Sequence, residues 1–232
     1  MLVILPFEKE FYRQHGIEAK FVGHYLLEDI PADYVDSPIP RTSPPTLCLM
    51  PGSRPQEIQR MLPPMLQAAA VLQQRHGAAV VIAGVKDTFD YEGMIHRYGS
   101  RGHISLVLGE SRKSIFESRP VLTASGTATL ETGIIGRPMV VAYKTGFITY
   151  QIARHLVRLD SVALVNLVLG ERVAPELIQS RVSPECLLPE LEKHILDPSY
   201  TDAVKSKLAT LTEKLGGPGA SERAARLIAD RL

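Results

Sequence analysis

The sequence predicts an α/β fold, a doubly wound parallel sheet followed by a set of C-terminal helices, and three observations carry that reading. Short apolar runs alternate with helix-length amphipathic segments over the first two thirds of the chain. The runs are almost continuously apolar, as in Val121-Leu122-Thr123-Ala124, which suits strands covered on both faces. Two of them end in glycine-bearing turns, Pro51-Gly52-Ser53-Arg54 and Ser125-Gly126-Thr127, with helical spacing after each. Right-handed crossovers between parallel strands then put helices on both sides of one sheet.

Taken in order, strands are predicted at 2–5, 20–22, 46–50, 79–83, 103–108, 121–124 and 139–143. Helices are predicted between them at 8–15, 55–76, 87–98, 111–117 and 127–135. Pro55 fits a first helical turn, whereas the pair Pro63-Pro64 is expected to kink or restart that helix. The apolar stretch 162–170 reads as branched residues at a strand end, with Asn166 set among them. After Tyr143 the alternation gives way to helix, at 147–159, 184–195, 201–214 and 221–232, and Gly216-Gly217-Pro218-Gly219 separates the last two.

Residues 30–45 hold five prolines, Pro31, Pro38, Pro40, Pro44 and Pro45, and so can neither continue a helix nor join a central strand. They read as a linker. Two strands and one helix precede them, too little to bury a core. Residues 1–29 are therefore expected to be the remnant of a domain whose earlier part is absent, and 46–232 a second domain.

A net charge of +1 argues against a dedicated nucleic-acid binder. No apolar run approaches the ~20 residues needed to span a bilayer, and Met1-Leu2-Val3-Ile4-Leu5-Pro6 lacks the basic start of a signal peptide. Cys48 and Cys186 lie far apart, each in or beside an apolar run, and read as buried reduced thiols suited to the cytoplasm.

The chemistry concentrates at the two glycine turns. A strand ending at Ala124, a tight turn at Gly126 and a helix opening at Thr127 leave amide N–H groups pointing outward, and these favour an anion. Glu131, about one turn further in, is placed to accept hydrogen bonds from sugar hydroxyls. Ser53 and Gln56 have capping-box spacing, and Arg54 offers a planar fork of donors suited to a diphosphate. In a parallel sheet every strand-to-helix turn lies at one edge, so Arg54 and Ser125, Gly126 and Thr127 should share one mouth. Together they point to a nucleotide diphosphate.

Three further features are read more plainly. From 132 to 159 the chain holds Arg137, Lys144, Arg154 and Arg158 and no acid, with an apolar stripe at Ile148, Ile152, Leu156 and Leu159. That is either a helix packed on its sheet with a solvated basic face or one lying on an anionic membrane surface. His24, at a strand end, reads as structural. No cluster has metal-ligand spacing and no nucleophile elbow is present, so neither metal nor cofactor is expected.

Taken together, these residues resemble the lipid-A-disaccharide synthase family of GT-B-type glycosyltransferases. The resemblance runs from Leu5-Pro6-Phe7-Glu8 through Phe21-Val22-Gly23-His24 and Pro51-Gly52-Ser53-Arg54 to Ala124-Ser125-Gly126-Thr127-Ala128-Thr129-Leu130-Glu131. It continues through Val141-Ala142-Tyr143-Lys144, Thr149-Tyr150, Ile152-Ala153 and Asn166-Leu167 to Pro175-Glu176-Leu177-Ile178-Gln179. It covers the family's C-terminal half and a sliver of its N-terminal domain. Tyr25 stands where the family usually has proline.

The resemblance implies a Rossmann-like half of a GT-B-type fold. It implies transfer from UDP-2,3-diacylglucosamine to 2,3-diacylglucosamine 1-phosphate, with release of UDP, at or near the inner-membrane surface. Arg54 would then meet the diphosphate, Ser125, Gly126 and Thr127 its phosphates, and Glu131 the ribose. Asn166, Glu176 and Gln179 would border the donor sugar. The family's glycine-rich loop and proposed catalytic acid lie upstream of Met1, so no catalytic residue is assigned in this chain. A UDP-binding fragment without transfer activity, or another UDP-sugar transferase or epimerase of the same fold, are the alternatives.

Overall fold

The structure, a computed structural model, describes residues 1–87, 89–99, 102–145 and 161–230. The predicted helix at 147–159, with Arg154 and Arg158, lies outside them.

The main sheet has six parallel strands: β3 (Thr46–Met50), β4 (Ala79–Gly84), β5 (Ile104–Leu108), β6 (Val121–Ala124), β7 (Met139–Tyr143) and β8 (Glu176–Ile178). They lie in the order β5-β4-β3-β6-β7-β8, so the sheet grows outward in both directions from the β3–β6 pair. A separate parallel pair, β1 (Leu2–Val3) and β2 (Lys20–Phe21), is bridged by α1 (Pro6–Gln14) and followed by α2 (Leu26–Asp29).

Alternation of side chains along the strands builds two cores. Leu47, Leu49, Leu122, Val140 and Ala142 face α3 (Pro55–His76) and α8 (Pro184–Leu196), meeting Ile58, Met61, Leu62, Leu187 and Leu191. Cys48, Met50, Val121 and Val141 face the other way. There they pack with Ile115 of α5 (Ser111–Phe116), Leu130 and Ile134 of α6 (Thr127–Ile134), and Val165 of α7 (Leu164–Leu169). All four residues of β6 are buried, which is why that strand reads as an unbroken apolar run. Cys48 is buried and Cys186 half-buried, both free thiols, and burial pushes the Cys48 thiol up to about 12.

Several elements differ from expectation for identifiable reasons. Residues 162–170 contain a helix rather than a strand: Val165, Val168 and Leu169 fall on one buried face and Gly170 ends it. The strand at that edge of the sheet is β8, three residues long and opened by a glutamate, too short to show alternation. Pro63-Pro64 leaves α3 unbroken, because the helix carbonyls they cannot serve belong to Gln59 and Arg60, on the exposed side. The run 201–214 divides into α9 (Pro198–Leu208) and α10 (Leu211–Lys214). The remaining described helices are α4 (Tyr91–Tyr98) and α11 (Ala220–Ala229).

The proline-rich stretch carries no regular structure beyond its start, yet it is laid on the large sheet's helices. The Asp36 N–H donates to the Ile134 carbonyl at 2.9 Å, and Tyr34 stacks on Phe116 with ring centroids 4.1 Å apart. Arg137 holds Ser37 through its carbonyl and its hydroxyl. At the other end of the chain, Arg223 of α11 donates to the carbonyls of Val22, Gly216, Gly217 and Pro218. The His24 N–H donates to Leu215 O at 3.0 Å, so residues 22–24 and 215–218 run side by side.

Candidate functional site

The strand order places both glycine turns where direction reverses. In an open parallel sheet the crevice at such a switch point, beyond the carboxyl ends of the strands, is where ligands bind. β3 delivers Pro51-Gly52-Ser53-Arg54 there and β6 delivers Ser125-Gly126-Thr127, with Met50 and Thr123 in register. Between them lies an open cavity of about 610 Å³, lined by Gly52, Ser53, Arg54, Ser125, Gly126, Thr127 and Glu131 among others.

On the β3 side the local geometry departs from the predicted capping box. Arg54, not Ser53, occupies the N-cap position of α3, in extended backbone. The carboxylate that closes the turn belongs to Glu57, whose Oε2 accepts the Ser53 N–H at 3.1 Å. Gly52 has φ 115°, and a Cβ there would fall on the Glu57 carboxylate, so this turn requires glycine. The guanidinium of Arg54 is exposed and makes no ion pair among the described residues.

On the β6 side Gly126 is the N-cap of α6 at φ 145°, ψ −160°, a conformation open essentially to glycine alone. The Thr127 and Ala128 N–H groups, first in the helix, have no carbonyl four residues back within it, and both residues line the cavity. Ser125 lines the cavity, but its hydroxyl donates to the Val162 carbonyl at 2.7 Å, which leaves only acceptor capacity for a ligand. A Cβ at residue 126 would meet nothing within 4 Å, so a side chain there is opposed by the backbone rather than by crowding. Gly126→Ala is therefore expected to lose about 1–3 kcal/mol of stability or to reshape the loop. Thermal unfolding alongside nucleotide titration would detect either.

Glu131 also lines this cavity, and its side chain is only 16% exposed. Its Oε1 accepts from Nε of Arg112 at 3.1 Å. Arg112 in turn reaches the Asp29 carbonyl through Nη1 at 2.6 Å.

The structure does not bring Asn166, Glu176 and Gln179 to the cavity. Asn166 is 2% exposed and fully committed: its amide donates to Ala174 O and Glu176 Oε1, and its oxygen accepts the N–H groups of Val173 and Ala174. Glu176 also accepts from the hydroxyl of Ser161 and from the Val162 and Ala163 N–H groups ahead of α7. A buried amide needs partners, and here the fold itself supplies all of them. Gln179 accepts the Thr145 N–H at 3.2 Å, holding the turn after β7 beside a second cavity lined by Arg54, Arg60, Tyr143 and Lys144. His24 is 3% exposed, with its Nδ1 accepting the Leu26 N–H, and burial lowers its pKa against a weaker opposing pull from Glu8.

Lys86, Gly109, Ser111 and Glu57 line the cavity and were not singled out from the sequence. Lys86, Gly109 and Ser111 follow β4 and β5, whose turns open at the same sheet edge, so the rule that paired Arg54 with Ser125 extends to them. Among the described residues no group of three or more His, Cys, Asp or Glu residues is arranged to hold a metal ion.

A six-stranded doubly wound parallel sheet flanked by helices has the architecture of one half of a GT-B-type fold. The chain belongs to the lipid-A-disaccharide synthetase family, whose family model matches residues 1–228. It is 39% identical to a lipid-A-disaccharide synthase of Anaeromyxobacter dehalogenans over 234 residues, covering 97% of this chain and 60% of that protein. The chain thus spans about 60% of the length of the curated relatives it matches. Among solved structures, it superposes on a UDP co-structure of S. aureus MnaA at a TM-score of 0.68 and 14% identity, covering 98% of this chain and 58% of that one. The calicheamicin glycosyltransferase CalG4 gives a TM-score of 0.60 at 18% identity, with 98% and 52% coverage.

Proposed function

We propose that this chain supplies the donor-nucleotide half of a lipid-A-disaccharide synthase and grips the UDP end of UDP-2,3-diacylglucosamine. The 6-hydroxyl of 2,3-diacylglucosamine 1-phosphate attacks the donor's anomeric carbon, the bond from that carbon to the diphosphate oxygen breaks, and UDP leaves. Negative charge grows on the leaving diphosphate, so donors already aimed at it lower the barrier. The observation that carries this reading is the pairing of Arg54 with the outward N–H groups of Thr127 and Ala128 across one cavity. Ser125 and Gly126 shape the phosphate loop and Glu131 takes the ribose. Asn166, Glu176 and Gln179 act through the loops they hold beside the donor sugar. Both substrates carry acyl chains, which places the reaction at the inner-membrane surface. Among the described residues no helix is long and apolar enough to cross a membrane.

Arg54→Ala is expected to weaken UDP binding by about 1.5–3 kcal/mol, roughly ten- to a hundredfold. Titration calorimetry of the full chain measures this, and wild-type affinity in the variant would remove Arg54 from the diphosphate.

A second reading, UDP binding without transfer, is favoured by one observation. Among the described residues the carboxylates lining the cavity are Glu57 and Glu131, and each already serves the fold through one oxygen, Glu57 for the Ser53 N–H and Glu131 for Arg112. Incubation with both lipid substrates separates the readings: disaccharide formation requires the first.

A further inference from the structure

We infer that Arg112 is the positioning residue for ribose recognition, acting through Glu131; this rests on the ribose assignment made above. Arg112 is the second residue of α5, at the edge of the nucleotide cavity, and its guanidinium is held at two sides. Nη1 donates to the Asp29 carbonyl at 2.6 Å, and Nη2 lies 3.6 Å from the Asp29 carboxylate. The third side, Nε, meets Glu131 Oε1 at 3.1 Å.

A guanidinium is planar and rigid, so anchoring it to Asp29 fixes the direction from which it meets Glu131. The carboxylate then has one oxygen occupied and the other, Oε2, turned to a set direction, with no partner among the described residues and on a side chain that lines the cavity. A vicinal diol needs such an acceptor: two hydroxyls donating toward one oriented carboxylate. Without Arg112, Glu131 keeps its charge but samples several rotamers, and the diol loses the geometry that separates ribose from deoxyribose. Glu131 and Arg112 are 16% and 31% exposed at their side chains, so solvent screens the pair less than it screens a surface contact.

The role is tested with UDP and 2′-deoxy-UDP as probes on the full chain. The wild type is expected to prefer UDP by about tenfold, the worth of one hydrogen bond to a charged acceptor. Arg112→Gln is expected to bring the two affinities within about twofold while binding 2′-deoxy-UDP nearly as well as the wild type does. A residue that merely ties α5 to Asp29 would weaken both nucleotides equally and leave their ratio alone. Arg112→Lys serves if the glutamine variant does not fold, since a single ammonium cannot span the carbonyl and the carboxylate with a fixed fork. Glu131→Ala is the companion measurement. Loss of the preference in Glu131→Ala with full preference kept in the Arg112 variants overturns the role of Arg112. Full preference kept in Glu131→Ala overturns the ribose assignment itself, and the role of Arg112 with it.

Discussion

Replacing Arg137 with methionine is expected to destabilise the fold by about 3–5 kcal/mol, the cost of leaving a buried ionic hydrogen-bond network without its centre. The side chain is completely buried. Its Nε and Nη2 donate to the Phe116 carbonyl at 3.1 and 2.7 Å, and its Nη1 donates to the carbonyls of Ser37 and Ile135, each at 3.0 Å. Nη2 also donates to the Ser37 hydroxyl at 2.9 Å, and the guanidinium stands 5.3 Å from the centre of the Phe116 ring. Burial lowers its pKa to about 10, with Asp36 pulling the other way, so it remains charged at neutral pH. Methionine fills most of the volume but leaves three carbonyls without this donor, and it releases the proline-rich stretch at Ser37. Lysine is no substitute, because one ammonium cannot serve acceptors on several sides. Urea unfolding at pH 7 measures the loss; a change under about 1 kcal/mol would contradict the network's importance.

The second large effect is on acid stability. His194 is fully buried in α8, neither ring nitrogen has a partner among the described residues, and Tyr200 packs 5.0 Å away. Burial, with lesser contributions from Lys193 and Arg119, lowers its pKa from 6.5 to about 4. The folded state thus resists a proton that the unfolded chain accepts. The stability associated with the neutral ring is complete above pH 6.5 and is lost as pH falls from there toward 4. A shift of this size corresponds to about 3 kcal/mol. His194→Phe keeps the ring's bulk and removes its titration. It is expected to match the wild type near pH 7.5 and to exceed it by pH 4.5. Chemical denaturation at the two pH values decides this, and an unchanged pH slope in the variant would assign the acid sensitivity elsewhere.

Much of the sheet was legible because its strands are buried on both faces and nearly continuous in apolar character. β3, β6 and β7 fall at the predicted residues. β8 was hidden because three residues hold no period, and α7 because a short run of branched apolar residues satisfies a strand and a helix equally. Arg137 illustrates a deeper limit. In the sequence it is one cation in an acid-free stretch, and nothing local says that it donates four hydrogen bonds to the distant segments at Ser37 and Phe116. At the candidate site the glycines and Arg54 were legible because a turn chemistry dictates them. The commitment of Asn166 was not, since a satisfied amide and a ligand-binding amide look alike until their partners are placed. The Arg112–Glu131 pair joins residues on different helices, which only the fold brings together.

The side-by-side run of residues 22–24 and 215–218 has a mechanical consequence. The polypeptide passes twice between the small β1–β2 unit and the large sheet, and Arg223 clips the two passages together. A junction crossed once is a thread and permits torsion; one crossed twice is a ribbon, able to flex about one axis and stiff against twisting. Leu26 and Leu27 also share a buried core with Val165 and Leu215, so the small unit is seated on the large sheet's helices from both ends of the chain and not through a single tether.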